Sequence, residues 1–193
     1  MRIFVALDID DAIRERIALF LEGVREFAPE ARWVRPESLH VTLKFIGEKL
    51  EQQVEEIKET LHNIDAGAVE MRFRGYGFFP TPKSPRVFWI GIEAGPQLTA
   101  LASSVDEKLI PLGIPWEEHA FSPHMTLARG GSGSPRRLKG DKPNRNFQRL
   151  QEKLSALPAP EFGTMTAREF FLYQSQLSPK GAKYTKLERY VLQ

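Results

Sequence analysis

Two tetrapeptides in this chain carry residues suited to proton transfer: His40-Val41-Thr42-Leu43 and His124-Met125-Thr126-Leu127. Histidine titrates near neutrality, so one imidazole can take a proton at the pH at which another gives one. A threonine hydroxyl two residues on can donate to an oxygen where negative charge gathers. Residues i and i+2 of a strand share a face, so each histidine projects beside its threonine. Val41 with Leu43, and Met125 with Leu127, then anchor the opposite face. Two such strands facing each other surround a small anion with two imidazoles and two hydroxyls. That set fits phosphodiester chemistry, with neutral imidazole activating water or a ribose hydroxyl and imidazolium protonating the departing oxygen. The scheme calls for no metal and no cofactor. Neither motif carries a carboxylate, there is no His-x-x-x-His pair, and a chain without cysteine offers no thiolate.

With only four histidines in the chain, two chance copies of the pattern amount to well under about one case in a hundred on ordinary residue frequencies. Arg129 follows the second motif, five positions after His124. Regular alternation turns it away from His124, so it reaches a phosphate only if the strand ends or bulges there; otherwise it opens the basic loop that follows. Lys44 shares parity with His40 and Thr42 and is expected to add positive potential beside them. Phe45 shares parity with Val41 and Leu43 and is expected in the core. Phe121 and Tyr173 are the better-placed aromatics for stacking on a base. His62 reads as a surface residue, His119 as a loop residue, and Trp33, Trp89 and Trp116 as core or cleft wall.

Positioning these motifs falls to four helical stripes: Ile13 to Phe27, Leu50 to Ile64, Leu98 to Leu109 and Phe147 to Leu157. Asp10 or Asp11 can cap the first helix, and Asn144 or Asn146 the last. Strand-like runs cover 2–7, 32–34, 39–46, 69–73, 86–92, 123–128, 164–173 and 184–192. Ser178-Pro179-Lys180-Gly181 predicts the turn of a C-terminal hairpin. Pro80, Pro82 and Pro85 predict a crossover between halves. The two motifs lie 84 positions apart (40 to 124), as do Ser38 and Ser122, and as do Arg2-Ile3-Phe4 and Arg86-Val87-Phe88. The pattern predicts a duplicated α+β unit, two mostly antiparallel sheets with helices outside and a central cleft between the motif strands. The expected organisation is one bilobal domain over 1–193, with pseudo-repeats at about 1–80 and 85–193.

A chain of 193 residues suits one such domain. It contains no apolar run long enough to span a bilayer. Its first residues read as a strand rather than a charged leader, so a cytoplasmic address and a monomer are expected. Net charge is only +2, but its distribution is uneven. Arg129, Arg136, Arg137, Lys139, Lys142 and Arg145 face only Asp141 within one glycine- and proline-containing stretch. Such a stretch suits a polyanion such as RNA.

With these residues in view, the sequence resembles the two-histidine phosphoesterase superfamily, and within it the RNA 2′,3′-cyclic phosphodiesterases, also called 2′-5′ RNA ligases. The resemblance runs from Arg2-Ile3-Phe4-Val5-Ala6-Leu7 through Arg32-Trp33-Val34 and the stretch 39–47. It continues through 121–129 and ends with Ser175, Leu177, Gly181, Tyr184 and Leu187. It implies a bilobal α+β fold and hydrolysis of a 2′,3′-cyclic phosphate at an RNA end to a 2′-phosphate, with weak, reversible 2′-5′ ligation in some members. Carried onto this chain, it implies His40 as proton donor to the 3′ oxygen and His124 as proton acceptor from water. Thr42, Thr126 and Arg129 would hold the phosphate. The near-symmetry of the motifs gives the sequence no means of choosing which histidine is the acid. An RNA 3′-end exonuclease, a nucleotide cyclic phosphodiesterase and a non-catalytic RNA-binding module stay open as alternatives.

Overall fold

A computed structural model describes residues 1–130 and 147–193. The basic stretch beyond Arg129 and the capping positions Asn144 and Asn146 fall outside the described residues. Nine strands are described in two sheets, every pairing antiparallel. In chain order they are β1 (Arg2–Leu7), β2 (Arg32–Trp33), β3 (Val41–Glu48), β4 (Val69–Thr81), β5 (Ser84–Ala94), β6 (His124–Arg129), β7 (Glu161–Ala167), β8 (Glu169–Ser178) and β9 (Gly181–Val191). The first sheet has the order β3-β1-β8-β9 and the second β2-β6-β5-β4-β7. Each therefore sets a motif strand beside the Arg-x-Phe strand of its own half, β3 beside β1 and β6 beside β5. The sheets do not follow the halves of the sequence: β8 and β9 join the sheet of the first motif, while β2 and β4 join that of the second.

Four helices, α1 (Asp11–Val24), α2 (Glu51–Leu61), α3 (Pro96–Leu109) and α4 (Gln148–Ser155), follow the expected stripes. Asp10 does stand at the N-cap of α1, yet its side chain makes no capping bond; its carbonyl accepts from Arg14 N–H at 3.0 Å. The helices bury Ile13, Ile17 and Leu21, then Val54 and Ile57, Leu101 and Val105, and Leu150 and Leu154. These meet Ile3, Val5, Leu7, Val41, Leu43, Met125 and Leu127 in one continuous core spanning both sheets. Burying such side chains contributes about 1.5–3 kcal/mol each, which holds the helices to one face of the sheets. The opposite face of β1 carries Phe4 and Ala6, which form a separate cluster with Phe171 and Tyr173.

Three expectations are corrected. The prolines mark no crossover: β4 and β5 form a long hairpin with Pro80 paired to Pro85 at its tip. There the missing N–H groups cost the ladder little. The run 164–173 is not one strand; it divides at Arg168 between β7 and β8, which belong to different sheets. The match of Arg2-Ile3-Phe4 to Arg86-Val87-Phe88 is one residue out of step. Phe4 pairs with Phe45, but Val87 pairs with Arg129, so Val87 is the spatial counterpart of Phe4. A one-residue slip exchanges faces. Phe88 is accordingly in the main core, while Phe4 lies on the opposite face of its own strand.

Lys44 departs from expectation too. It is 3% exposed and its ammonium donates to Asp106 Oδ1 of α3 at 2.5 Å and to the Pro115 carbonyl at 3.0 Å. Asp106 also accepts from the Glu117 N–H at 3.2 Å. The pair ties the first motif strand to the helix and loop that lead toward His124. Lys44→Met leaves a buried carboxylate with a backbone donor as its main partner and is expected to lower unfolding free energy by about 3–5 kcal/mol in urea titrations. Adding Asp106→Leu should restore most of the loss, because a buried ion pair and an apolar pair of similar volume are nearly equivalent. A double variant no more stable than Lys44→Met would contradict this account.

Candidate active site

Each motif histidine is set by its own approach to a strand. Residues Pro36–Ser38 form a single 3-10 turn, Leu39 is buried at 2% exposure, and His40 follows just before β3. The Nδ1–H of His40 donates to the Ser38 carbonyl at 2.8 Å, and that of His124 to the Ser122 carbonyl at 2.7 Å. The shared register of Ser38 and Ser122 thus reappears as one hydrogen bond made twice. A carbonyl only accepts, so Nδ1 carries the proton in both rings. Each Nε2 is left to gain or lose a proton.

The strands themselves are irregular, and in the same way. Against β1, Val5 pairs with Lys44 and Ala6 with Thr42, so Leu43 is the extra residue of β3. Against β5, Phe88 pairs with Ala128 and Trp89 with Thr126, so Leu127 is the extra residue of β6. A bulge shifts parity for everything beyond it. Beyond the first, Lys44 turns inward and Phe45, 60% exposed, returns to the face of His40 and Thr42. Beyond the second, Ala128 is buried and Arg129 is exposed on the face of His124 and Thr126. Lys44 therefore adds no potential to the site, and Phe45 is not a core residue. Arg129 does bulge out of the regular alternation.

β3 and β6 approach one another directly. The charge of Arg129 is felt at His40 across the interval between the strands. Burial is the main influence on His40 and pushes its proton affinity down; the charges of Arg129 and Arg14 add to this. The Ser38 carbonyl and the Asp8 carboxylate oppose them, and the net position is below the ordinary histidine value. Thr42 and Thr126 are both half-buried beside their histidines.

Aromatic rings wall each imidazole. His40 lies 4.8 Å from Phe4 and meets Tyr184 edge-on at 5.1 Å; Phe4 in turn stacks on Tyr173 at 5.1 Å. His124 meets Phe79 edge-on at 5.0 Å and lies 6.2 Å from Trp89. Gly77 permits that wall, because any side chain there would enter the Trp89 ring lying across it. Tyr173, expected as a stacking surface, is instead only 6% exposed. Phe121 packs partly against the core. Trp33 is tied by its Nε1–H to the Ala28 carbonyl at 2.9 Å, and Trp116 is 52% exposed on a loop. His62 stays on the surface near Glu188, and His119 is exposed in its loop.

Phe4, Tyr184, Phe79 and Gly77 escaped the sequence reading as neighbours of the histidines, whereas Trp89, read as core or cleft wall, does wall His124. The slip in the Arg-x-Phe match concealed Phe4. Asp8 and Arg14 were also missed, although a carboxylate directly after an otherwise apolar strand was a visible signal. Among the described residues no group of three or more metal-ligating side chains is gathered, and no helix is long and apolar enough to cross a membrane.

Known proteins are similar to this chain over nearly its whole length. The family model described as LigT-like phosphoesterase matches twice, over residues 7–89 and 90–184, one motif in each. A protein of Archaeoglobus fulgidus named RNA 2′,3′-cyclic phosphodiesterase is 37% identical over 97% of this chain and 98% of its own length. One of the same name from Methanothermobacter thermautotrophicus is 31% identical over 97% of each. Among solved structures, TT0787 of Thermus thermophilus aligns with a TM-score of 0.75 at 30% identity, covering 100% of this chain and 98% of that one. E. coli LigT complexed with 3′-AMP aligns with a TM-score of 0.77 at 26% identity, covering 99% and 97%. Matched by the family model in both halves and by full-length relatives at 31–37% identity, this chain belongs to the LigT-like phosphoesterase family.

Proposed function

We propose that this protein is a hydrolase that opens 2′,3′-cyclic phosphates at RNA ends to 2′-phosphates by paired histidine acid–base catalysis. One observation carries the reading: two imidazoles, each with Nδ1–H committed to a backbone carbonyl, stand at the starts of two strands that approach one another, and among the described residues neither Nε2 has a hydrogen-bond partner. The names of the relatives and the nucleotide complex of E. coli LigT support the same class of substrate. In the proposed reaction His124 Nε2 accepts a proton from water as the oxygen attacks phosphorus. The bond from phosphorus to the ribose 3′ oxygen breaks, and His40 Nε2 gives that oxygen a proton. The product carries a 2′-phosphate and a 3′-hydroxyl, and each histidine ends in the other's initial protonation state.

Thr42 and Thr126 donate to the non-bridging oxygens, and the Arg129 guanidinium suits bidentate contact with them. The low proton affinity of His40 changes once such an anion binds. The phosphate neutralises Arg129 and adds negative charge beside the imidazole, and both effects favour imidazolium. With a 5′-hydroxyl in place of water as the nucleophile, the same forward steps join it to phosphorus as the 3′ oxygen leaves, which is 2′-5′ ligation, and their reversal cleaves that bond. One chain supplies both motifs, so a monomer is a complete unit. A cysteine-free chain suits a reducing compartment such as the cytoplasm.

Hydrolysis of an oligonucleotide 2′,3′-cyclic phosphate, read by chromatography of the product, tests the assignment. His40→Ala and His124→Ala should each reduce kcat by about 10²–10⁴-fold, the usual worth of a positioned acid or base. Turnover is expected to persist in excess EDTA; loss with chelator would point to metal-assisted chemistry instead. A shortened RNA in place of a 2′-phosphate would identify an exonuclease, and tight binding without turnover a binding module.

The pH dependence supplies an independent check. The profile of kcat/KM reports the free enzyme and should be bell-shaped. Arg129→Ala removes a positive charge that depresses His40, so the limb governed by His40 should move to higher pH, together with a rise in KM. A limb that stays in place or moves to lower pH would contradict the coupling between the motifs.

A further inference from the structure

The two histidines share one hydrogen-bond pattern but not one support. Beside His40, Arg14 of α1 donates through Nη1 to the Pro36 carbonyl at 2.6 Å and more weakly to that of Leu39 at 3.4 Å. These carbonyls bracket Ser38, whose own carbonyl orients His40. Through Nη2 the same guanidinium donates to Asp8 Oδ1 at 2.6 Å and to the Ile9 carbonyl at 3.2 Å. Asp8 in turn accepts from the Ile9 N–H at 2.9 Å and, through Oδ2, from Lys186 of β9 at 2.6 Å. Lys186 lies 4.1 Å over the Phe171 ring. A chain of contacts thus runs from β9 through the end of β1 and the start of α1 to the turn that carries His40. The bond that orients His124 sits in an exposed setting, and among the described residues no side chain braces its approach comparably.

We propose that Arg14 and Asp8 are positioning residues for His40: the guanidinium fork locks the 36–39 turn, and the carboxylate seats that fork. Burial by itself raises the proton affinity of Asp8, but the bonds from Lys186 and the Ile9 N–H, with the charges of Lys186 and Arg14, bring the net below the ordinary aspartate value. Asp8 is therefore a standing negative charge at neutral pH. It favours the protonated form of His40, against the opposing charges of Arg129 and Arg14. The pair makes the first histidine electrostatically distinct from the second, a distinction that the motifs themselves do not contain. A fork is needed because one group must meet a carboxylate and a turn carbonyl at once, which a lysine ammonium on a flexible stem does not reproduce.

The kinetic part of the test rests on the cyclic-phosphate reading; the spectroscopic part does not. With four histidines in the chain, each imidazole can be followed by NMR and the His40 signal identified by its loss in His40→Ala. Asp8→Asn should move the His40 titration to lower pH. Arg14→Gln should move it to higher pH and still lower kcat, because charge alone would favour the acid whereas the turn has lost its lock. Arg14→Lys separates the two effects. It keeps the charge and the His40 titration near wild type, yet kcat should fall by about 10- to 100-fold, as for a small misplacement of a catalytic group, with KM little changed. His40 titrations unmoved in all three proteins would overturn the proposal. So would kcat within about twofold of wild type for both Asp8→Asn and Arg14→Lys, on the same scale. Amide spectra establish folding, and should Arg14→Lys fail to fold, Asp8→Asn alone decides the question. Absence of cyclic-phosphate turnover in wild type would refute the functional reading and leave the titration test intact.

Discussion

Everything at this site depends on an extra residue in each motif strand. A strand places alternate side chains on opposite faces, and an unbroken β3 or β6 would therefore send the fifth residue after its histidine into the core. The bulges at Leu43 and Leu127 reverse the alternation midway. Two consecutive residues then point inward, Leu43 with Lys44 and Leu127 with Ala128. Phe45 and Arg129 emerge on the same face as the imidazoles. The guanidinium within electrostatic reach of His40 is thus a product of backbone irregularity, and so is the buried ammonium on the other side of β3.

That buried ammonium shows how the irregularity is stabilised. A lysine turned into the interior needs a full set of partners, and Lys44 finds Asp106 on α3 and the Pro115 carbonyl. The ion pair joins a strand of the first sheet to the segment that delivers His124 to the second. Interleaving of strands between the two halves works toward the same end. Because β8 and β9 complete the sheet of the first motif while β2 and β4 complete that of the second, neither sheet can form from one half of the chain. One continuous core spans both sheets.

Near-symmetry in the backbone coexists with asymmetry in chemistry. Both imidazoles donate Nδ1–H to the carbonyl two residues before them, and both are walled by aromatic rings. The surroundings then diverge. His40 lies against Phe4 and Tyr184 and is braced by Arg14 and Asp8, whereas His124 lies against Phe79 and Trp89 over Gly77. In this fold the differences in what surrounds the two imidazoles arise outside the motifs.

The sequence by itself determined the participants and their grouping. His40 with Thr42 and His124 with Thr126 were legible because i and i+2 on a strand is a local relation, and the helical stripes were legible for the same reason. The 84-residue register announced the duplication, and the placement of Ser38 and Ser122 within it foreshadowed the paired hydrogen bonds. Tertiary structure alone decided what depends on pairing between distant segments. Bulges are a mismatch between two strands, so neither Leu43 nor Leu127 carries a signal of its own; hence Lys44 and Phe45 exchanged their expected places and Arg129 could not be assigned. The one-residue slip between β1 and β5 has the same origin. Asp8 and Arg14 became neighbours of His40 only when the end of β1, the first turns of α1 and the 36–39 turn converged, a contact that no spacing along the chain encodes.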